Sequence, residues 1–403
     1  MDRIFERLYL ELHTLTVFKG LLDMPVPASF HCLCRAAANN DYIEAARQYS
    51  NVYSHLLRSG TGDMGAHLME LMKLYDSVFS RSISQGYIKP ELKGAAERDF
   101  DIIASITKIC CRDIKSQLGR IAGGRNGDVF DHMPEWETKQ PMDFHELISF
   151  YTKHGSGIFT KYRAFVFSDG ELKTVTKPDP IRPEELIGYE WQRKAVIDNT
   201  RALLEGKRVN NVLLYGDSGT GKSATVKALV NIDGFEMLRL IQIEKDSLSL
   251  LPSLIGDIAN RPQKFILFID DLSFEKGDRN FSCLKVMLEG SLETRPDNTV
   301  LYVTSNRRQL IKRRFSDTND MNEKETAEEK TSLADRFGIS IPFLTQNRNE
   351  YLDMAVELAR QAGAKADMDT LRSQALKWAV ERGSTAPRTA RQFADYIVSH
   401  EYI

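Results

Sequence analysis

The chain has 403 residues, 42% of them hydrophobic and 27% charged, with 54 lysines and arginines against 56 aspartates and glutamates and a formal net charge of -2. That length exceeds one ordinary hydrophobic core and predicts two or three folded units, while the near balance of charge excludes a globally basic nucleic-acid binder. The first residues, Met1-Asp2-Arg3-Ile4-Phe5-Glu6, carry charge where a signal peptide needs an apolar run, and no stretch reaches the roughly 20 apolar residues that span a bilayer. Five cysteines, Cys32, Cys34, Cys110, Cys111 and Cys283, suit a reducing compartment, so a cytoplasmic protein without a membrane segment is expected. His31, Cys32 and Cys34 lack the paired Cys-x-x-Cys spacing of a zinc site and read as part of a helix with buried thiols.

Residues 1–150 read as a helical N-terminal domain, because apolar residues recur every three or four positions in Phe5-Leu8-Leu12 and Leu68-Leu71-Met72-Tyr75. Gly123 to Asp128 marks a loop and Phe144 to Tyr151 a further short helix. Within 151–180, the alternation of Tyr162 to Phe167, the turn Ser168-Asp169-Gly170-Glu171 and Leu172 to Val175 predict a small β-hairpin. The prolines of Lys177-Pro178-Asp179-Pro180-Ile181-Arg182-Pro183 then exclude regular structure and mark a linker.

From 181 to 345, β-type runs alternate with helical ones: Val212 to Tyr215, Met237 to Ile243, Phe265 to Ile269, Thr299 to Thr304 and Ile339 to Phe343. This rhythm predicts an α/β core built on a five-stranded parallel sheet. Ser316 to Thr331 is polar, mostly acidic and without apolar period, so it reads as a loop. The last segment, 346–403, returns to helical spacing in Tyr351-Met354-Leu358 and Leu371-Ala375-Trp378 and predicts a helical lid.

The chemistry begins at Gly216-Asp217-Ser218-Gly219-Thr220-Gly221-Lys222-Ser223, a P-loop set between the apolar run Val212 to Tyr215 and a helix start at Ala224. Glycines at 216, 219 and 221 let backbone N–H groups converge on anionic oxygens, and the helix N-terminus adds its dipole. Lys222 would reach the outer phosphates of ATP, and Ser223 would offer a hydroxyl to Mg2+. Phe265 to Ile269 is a continuous apolar strand ending in Asp270-Asp271, the form of a Walker B strand. Asp270 would hold the magnesium ion, and Asp271 would orient or deprotonate the attacking water, with Glu275 as the alternative base.

Taken together, these motifs resemble the AAA+ ATPases over Pro180 to Ile403. The resemblance implies that Leu186-Ile187-Gly188-Tyr189 lines the adenine pocket through Ile187 and Tyr189. It implies that Asn306, closing Val303-Thr304-Ser305-Asn306, is the sensor 1 residue that positions water. It makes Arg336, in Leu333-Ala334-Asp335-Arg336-Phe337-Gly338, an arginine finger directed at a neighbouring subunit's γ-phosphate. It makes Arg388, in Ala386-Pro387-Arg388-Thr389-Ala390-Arg391, the lid residue that reaches the phosphates, with Arg391 as the alternative. Many relatives carry glutamate where Asp271 stands, which shortens the reach of this carboxylate. The whole-chain likeness is to bacterial AAA+ proteins known only as predicted ATP-binding proteins, which share Glu185 to Glu190 and Phe268 to Glu275.

The expected function is therefore an ATPase that binds and hydrolyses Mg-ATP in a homo-oligomer, with its site shared between subunits, and remodels or loads a protein or nucleoprotein target. The alternative is an ATP-dependent switch or loader with slow hydrolysis that could contact DNA. The Asp-Asp strand ending and the Asp-Arg-Phe-Gly segment resemble those of ATPases that serve DNA replication and recombination. Arg307, Arg308, Lys312, Arg313 and Arg314 form a basic cluster that would meet nucleic-acid phosphates, although the acidic stretch from Asp317 to Glu329 would offset it. Peptide threading is disfavoured, since Glu244 to Asp257 offers only Leu254-Ile255-Gly256 where an aromatic-hydrophobic-Gly loop belongs. The N-terminal domain carries no chemical motif and reads as the docking module for a protein partner.

Overall fold

The computed structural model describes residues 4–123, 127–139, 142–274, 280, 283–285, 288, 296–306 and 336–400. Glu275, the basic cluster at 307–314 and the acidic stretch 316–331 lie outside the described residues. The chain divides into two compact units, Met1–Lys161 and Tyr162–Ile403. Among the described residues, no helix is long and apolar enough to cross a membrane.

The first unit is helical, and several of its helices start where a side chain accepts an orphan N–H group of the first turn, while Pro25–Ala38 and Pro90–Thr107 start instead with proline in the first turn. Asp41 accepts from the Glu44 N–H and Asp63 from the Ala66 N–H, while Ser77 and Ser80 close a reciprocal capping box. Helix Ile4–His13 buries Phe5, Leu8 and Leu12 on one face, as the spacing predicts. The core gathers Phe18, Phe30, Tyr49, Phe79, Phe100 and Tyr151, with Phe79 and Phe144 stacked at 5.7 Å between ring centroids. Cys34 is buried in this core, and burial pushes its thiol pKa up.

This interior also holds a carboxyl side chain. Asp99 is fully buried, and its Oδ2 accepts the backbone N–H groups of Thr16 at 2.7 Å, Val17 at 2.7 Å and Phe18 at 3.1 Å. The turn that follows the first helix is thus fixed by one carboxylate.

The second unit contains a seven-stranded sheet built from β1 (Ala164–Ser168), β2 (Glu171–Thr174), β3 (Val212–Gly216), β4 (Leu238–Ile243), β5 (Lys264–Ile269), β6 (Thr299–Ser305) and β7 (Ile339–Phe343). Its order is β2-β1-β4-β5-β6-β3-β7, with β2 antiparallel to β1 and every other pairing parallel. The five expected parallel strands are all present, and two corrections apply to the expectation. The sheet has seven strands rather than five, and the hairpin is its edge rather than part of a separate connecting segment. β1 pairs in parallel with β4, from Ala164↔Leu240 to Phe167↔Ile243. The boundary between units accordingly falls after Lys161, and helices Phe144–His154 and Ile158–Lys161 belong to the helical unit.

Central strands covered on both faces need side chains that are apolar at successive positions. Val212, Leu213 and Leu214 of β3 and every residue of β6 are buried accordingly. The polar side chains buried on β6 find partners: the Tyr302 hydroxyl is engaged by Asn199 Nδ2 at 3.0 Å and Thr200 Oγ1 at 2.8 Å, and the Thr299 hydroxyl donates to Pro296 O at 3.1 Å.

The lid consists of helices Arg348–Gln361, Met368–Arg382 and Pro387–His400. The first is started by a capping box between Asn347 and Glu350, and the second by Asp367 accepting from the Thr370 N–H. Fully buried Ala355, Ala359, Ala375, Ala390 and Ala394 let these helices approach closely around Tyr351, Leu371 and Phe393.

Asp99→Ala removes a buried acceptor shared by three backbone N–H groups, so it should cost about 3 kcal/mol of unfolding free energy. Denaturant titration of the full chain measures it, and a loss close to zero would show that the turn holds itself.

Candidate functional site

Strand order decides what meets at the C-terminal end of the sheet. β6 lies between β3 and β5, with Tyr215 opposite Ser305 and Ile269 opposite Val303. The chain leaving β3 at Gly216, β6 at Asn306 and β5 at Asp270 therefore emerges side by side. Ligand crevices of parallel sheets form at this edge. A cavity of about 420 Å³ opens there, within the range of small-molecule sites.

The P-loop forms one wall, and its backbone explains its glycines. Gly216 has φ +136°, and a Cβ there would stand 2.1 Å from the carbonyl oxygen of Phe343 on β7. Gly219 and Gly221 have φ of +78° and +91°, a region that β-carbons disfavour. Lys222 is buried and turns back, its Nζ donating to Gly216 O at 2.8 Å, Asp217 O at 2.6 Å and Asn306 Oδ1 at 3.3 Å. Burial pushes its pKa down, while Asp217, Asp271 and Asp270 pull it back up.

The acidic wall is tied to the loop by hydroxyls. Asp270 Oδ1 accepts from Ser223 Oγ at 2.5 Å and from Thr304 Oγ1 at 2.6 Å. Lys227 Nζ stands 3.7 Å from the other oxygen of Asp270. Asp271 has a left-handed φ of +49°, and its Oδ1 accepts from Asn306 Nδ2 at 2.7 Å. Asn306 thus joins the P-loop lysine to the second carboxylate, donating to one and accepting from the other.

At the far end, Ile187 and Tyr189 both line the cavity. Tyr189 is held firmly: its hydroxyl donates to Leu344 O at 2.6 Å, and its ring stacks on Phe343 at 5.0 Å. Burial pushes this phenol up to about 12. Ile187 packs against the lid core and so touches both parts of the unit. Arg193 lines the cavity as well, donating to Gly188 O, and burial pushes its pKa down.

The lid supplies two arginines. Arg388 donates its backbone N–H to Gly219 O at 3.1 Å, so it begins against the P-loop itself. Arg391 also lines the cavity, but its Nη2 donates to Glu185 O at 3.3 Å, away from the loop. Ser218, Gly219, Thr220, Gly221, Lys222, Ser223, Asp270, Asp271 and Asn306 share that cavity with Ile187, Tyr189 and Arg388. Gly216 and Asp217 of the loop do not line the cavity, and neither does Arg336, just before β7. Among the residues that escape sequence reasoning are Thr304 and Arg193, which line the cavity, and Thr345, which bonds Asp217. Thr304 sits inside a quoted strand ending, yet a threonine there signals only a good β-former.

An apolar strand delivering acids, a phosphate-type loop and a polar strand end are here brought to one sheet edge beneath a helical lid, and that arrangement defines a P-loop fold of the AAA+ ATPase class. Residues 160–401 match the model of the family described as Protein of unknown function (DUF815), and the chain belongs to that family. Over 68 residues it is 38% identical to ORC1-type DNA replication protein 1 of Sulfurisphaera tokodaii, a stretch covering 17% of this chain and 16% of that protein. Over 67 residues it is 39% identical to ORC1-type DNA replication protein 5 of Halobacterium salinarum, covering 16% of this chain and 15% of that protein. The chain thus spans about a sixth of the length of these curated relatives. RuvB of Thermotoga maritima, solved as a Holliday junction branch migration motor, aligns at 15% identity over 53% of this chain and 63% of its own, with a TM-score of 0.35. A variant of the same protein aligns over the same shares with a TM-score of 0.37.

The P-loop is also bonded to the segment that leads into the lid. Asp217 Oδ2 accepts the Thr345 N–H at 2.7 Å and the Thr345 hydroxyl at 2.5 Å, which together hold this carboxyl below its ordinary pKa. A carboxyl depressed on folding contributes stability above its unfolded pKa and loses it as pH falls through the folded value. Thr345→Val should therefore lower unfolding free energy by about 1 kcal/mol at neutral pH, since the contact is exposed. Denaturant titrations of both chains across acid pH should show the gap closing as Asp217 protonates. A gap independent of pH would mean that the hydroxyl acts on something other than this carboxylate.

Proposed function

We propose that the protein binds and hydrolyses ATP with magnesium, in an oligomer, and uses the turnover to remodel or load a protein or nucleoprotein target. The observation that carries this reading is the hydrogen-bonded array Ser223–Asp270–Thr304 and Lys222–Asn306–Asp271 facing one cavity. A loop that only held phosphate would have no use for two carboxylates beside it.

The donor set fits a magnesium-bound nucleotide. Lys222 is a buried ammonium resting on loop carbonyls, a placement that an arriving phosphate can compete for. Ser223 and Asp270 are hard oxygen donors within 2.5 Å of each other, and magnesium is usually bound by one or two carboxylates together with substrate phosphates. When bound, the ion neutralises charge on the phosphate oxygens. The remaining work falls to the chain. The loop N–H groups and Lys222 hold the phosphates, and Arg388, anchored on Gly219, adds a cation from the lid. Asp271 takes the proton of the water that attacks the γ-phosphorus, while Asn306 keeps that carboxylate and the water in line. Ile187 and Tyr189 enclose the base.

Arg336, outside the cavity wall, suits a role at a neighbouring copy's site. The helical unit would dock the target. The ORC1-type stretches make a nucleoprotein the first class to test.

Steady-state hydrolysis per chain should rise with protein concentration as the oligomer assembles. Arg336→Ala should reduce turnover by about 10³-fold while leaving ATP affinity nearly unchanged. Turnover by a strict monomer, indifferent to this substitution, would remove the shared-site reading.

A further inference from the structure

The regular ladder between β5 and β6 ends at Ile269↔Val303. Beyond it the two strands are held together chiefly by one side chain and its own carbonyl. Thr304 is buried at 1% exposure. Its hydroxyl donates to Asp270 Oδ1 at 2.6 Å and accepts the Asp271 N–H at 2.8 Å. Its carbonyl accepts the Leu272 N–H at 2.8 Å, and the next residue, Ser305, donates its Oγ to Leu272 O at 2.8 Å. Three consecutive residues after β5 are thus bonded to the end of β6.

That pattern answers a geometric difficulty. Successive side chains of an extended strand point to opposite faces, so Asp270 and Asp271 could not both serve one cavity if the strand simply continued. The left-handed φ of +49° at Asp271 breaks the alternation. Such a conformation is costly for a residue with a β-carbon and persists only when its surroundings hold it. A hydroxyl is suited to the task because it can donate to a carboxylate and accept from an N–H at once.

We propose that Thr304 is a positioning residue of the hydrolytic site: its single hydroxyl aims Asp270 at Ser223 and locks Asp271 in the left-handed turn that brings its carboxylate to Asn306. This rests on the cavity's being a Mg-ATP site. Valine at this position keeps the shape and removes both hydrogen bonds, whereas serine keeps the hydroxyl and removes only the methyl group.

The test compares wild type, Thr304→Val and Thr304→Ser as full chains by three readouts. The first is affinity for a fluorescent ATP analogue across a magnesium titration, where Thr304→Val should need about tenfold more magnesium while metal-free affinity is unchanged. The second is kcat, expected to fall about tenfold to a hundredfold with KM for ATP little altered. The third, independent of any nucleotide, is hydrogen exchange of the Asp271 amide, which should quicken by at least about tenfold in Thr304→Val. Thr304→Ser should match wild type throughout. Wild-type magnesium dependence and exchange in Thr304→Val would overturn the proposal. So would a Thr304→Ser chain that loses magnesium affinity and Asp271 amide protection relative to wild type, a comparison that also decides the matter if Thr304→Val does not fold. A wild type without magnesium-dependent nucleotide binding would sink the ATPase reading instead, and the exchange readout would still decide whether Thr304 holds Asp271.

Discussion

Two adjacent carboxylates have to reach one cavity from the end of one strand, and the alternation of an extended backbone works against it. The fold meets this constraint by placing β6 between the strand that carries the acids and the strand that carries the phosphate-type loop. From that position the end of β6 touches both sides. Thr304 bonds the two residues after β5, and Asn306 bonds Asp271 on one side and Lys222 on the other. Had β3 and β5 been neighbours, no strand end would stand between loop and acids to connect them.

A second set of contacts links the same loop to the lid. Gly216 is packed so tightly against Phe343 that no side chain fits, and Asp217 grips Thr345 just beyond β7. Tyr189, from the opposite end of the cavity, bonds Leu344 in the same segment. Arg388 returns from the lid to Gly219. The chain from β7 into the lid is therefore held by residues from both ends of the cavity. The contacts of Asp217, Tyr189 and Arg388 in this set are hydrogen bonds, and the Gly216–Phe343 packing and the Tyr189–Phe343 ring stack accompany them.

Much of this was legible in the sequence because the relevant signals are local. An apolar run followed at once by glycines and Lys222-Ser223, and another ending in Asp270-Asp271, declare strand ends and their chemistry within a dozen residues. The lid helices showed their period in the same way. The hairpin was legible as a hairpin but not as a sheet edge, because its partner β4 lies far along the chain and pairing register leaves no local trace. Thr304, Thr345 and Arg193 were missed for a related reason: a hydroxyl or a guanidinium acquires its role only from atoms brought to it by the fold. Asn306 and Arg388 were identified by resemblance; the side chain of Asn306 bonds Asp271 and Lys222, and the backbone N–H of Arg388 bonds Gly219.

The central claim is that the cavity binds and hydrolyses ATP. Single-turnover hydrolysis of radiolabelled ATP by wild type and by Asp271→Asn, with bound nucleotide measured in parallel, addresses this directly. The account predicts that wild type cleaves its bound ATP only with magnesium, and that Asp271→Asn binds ATP within about threefold of wild type but cleaves it at least about a hundredfold more slowly. Equal cleavage rates for the two chains, or a wild type that holds Mg-ATP without cleaving it, would contradict the assignment of a hydrolytic site.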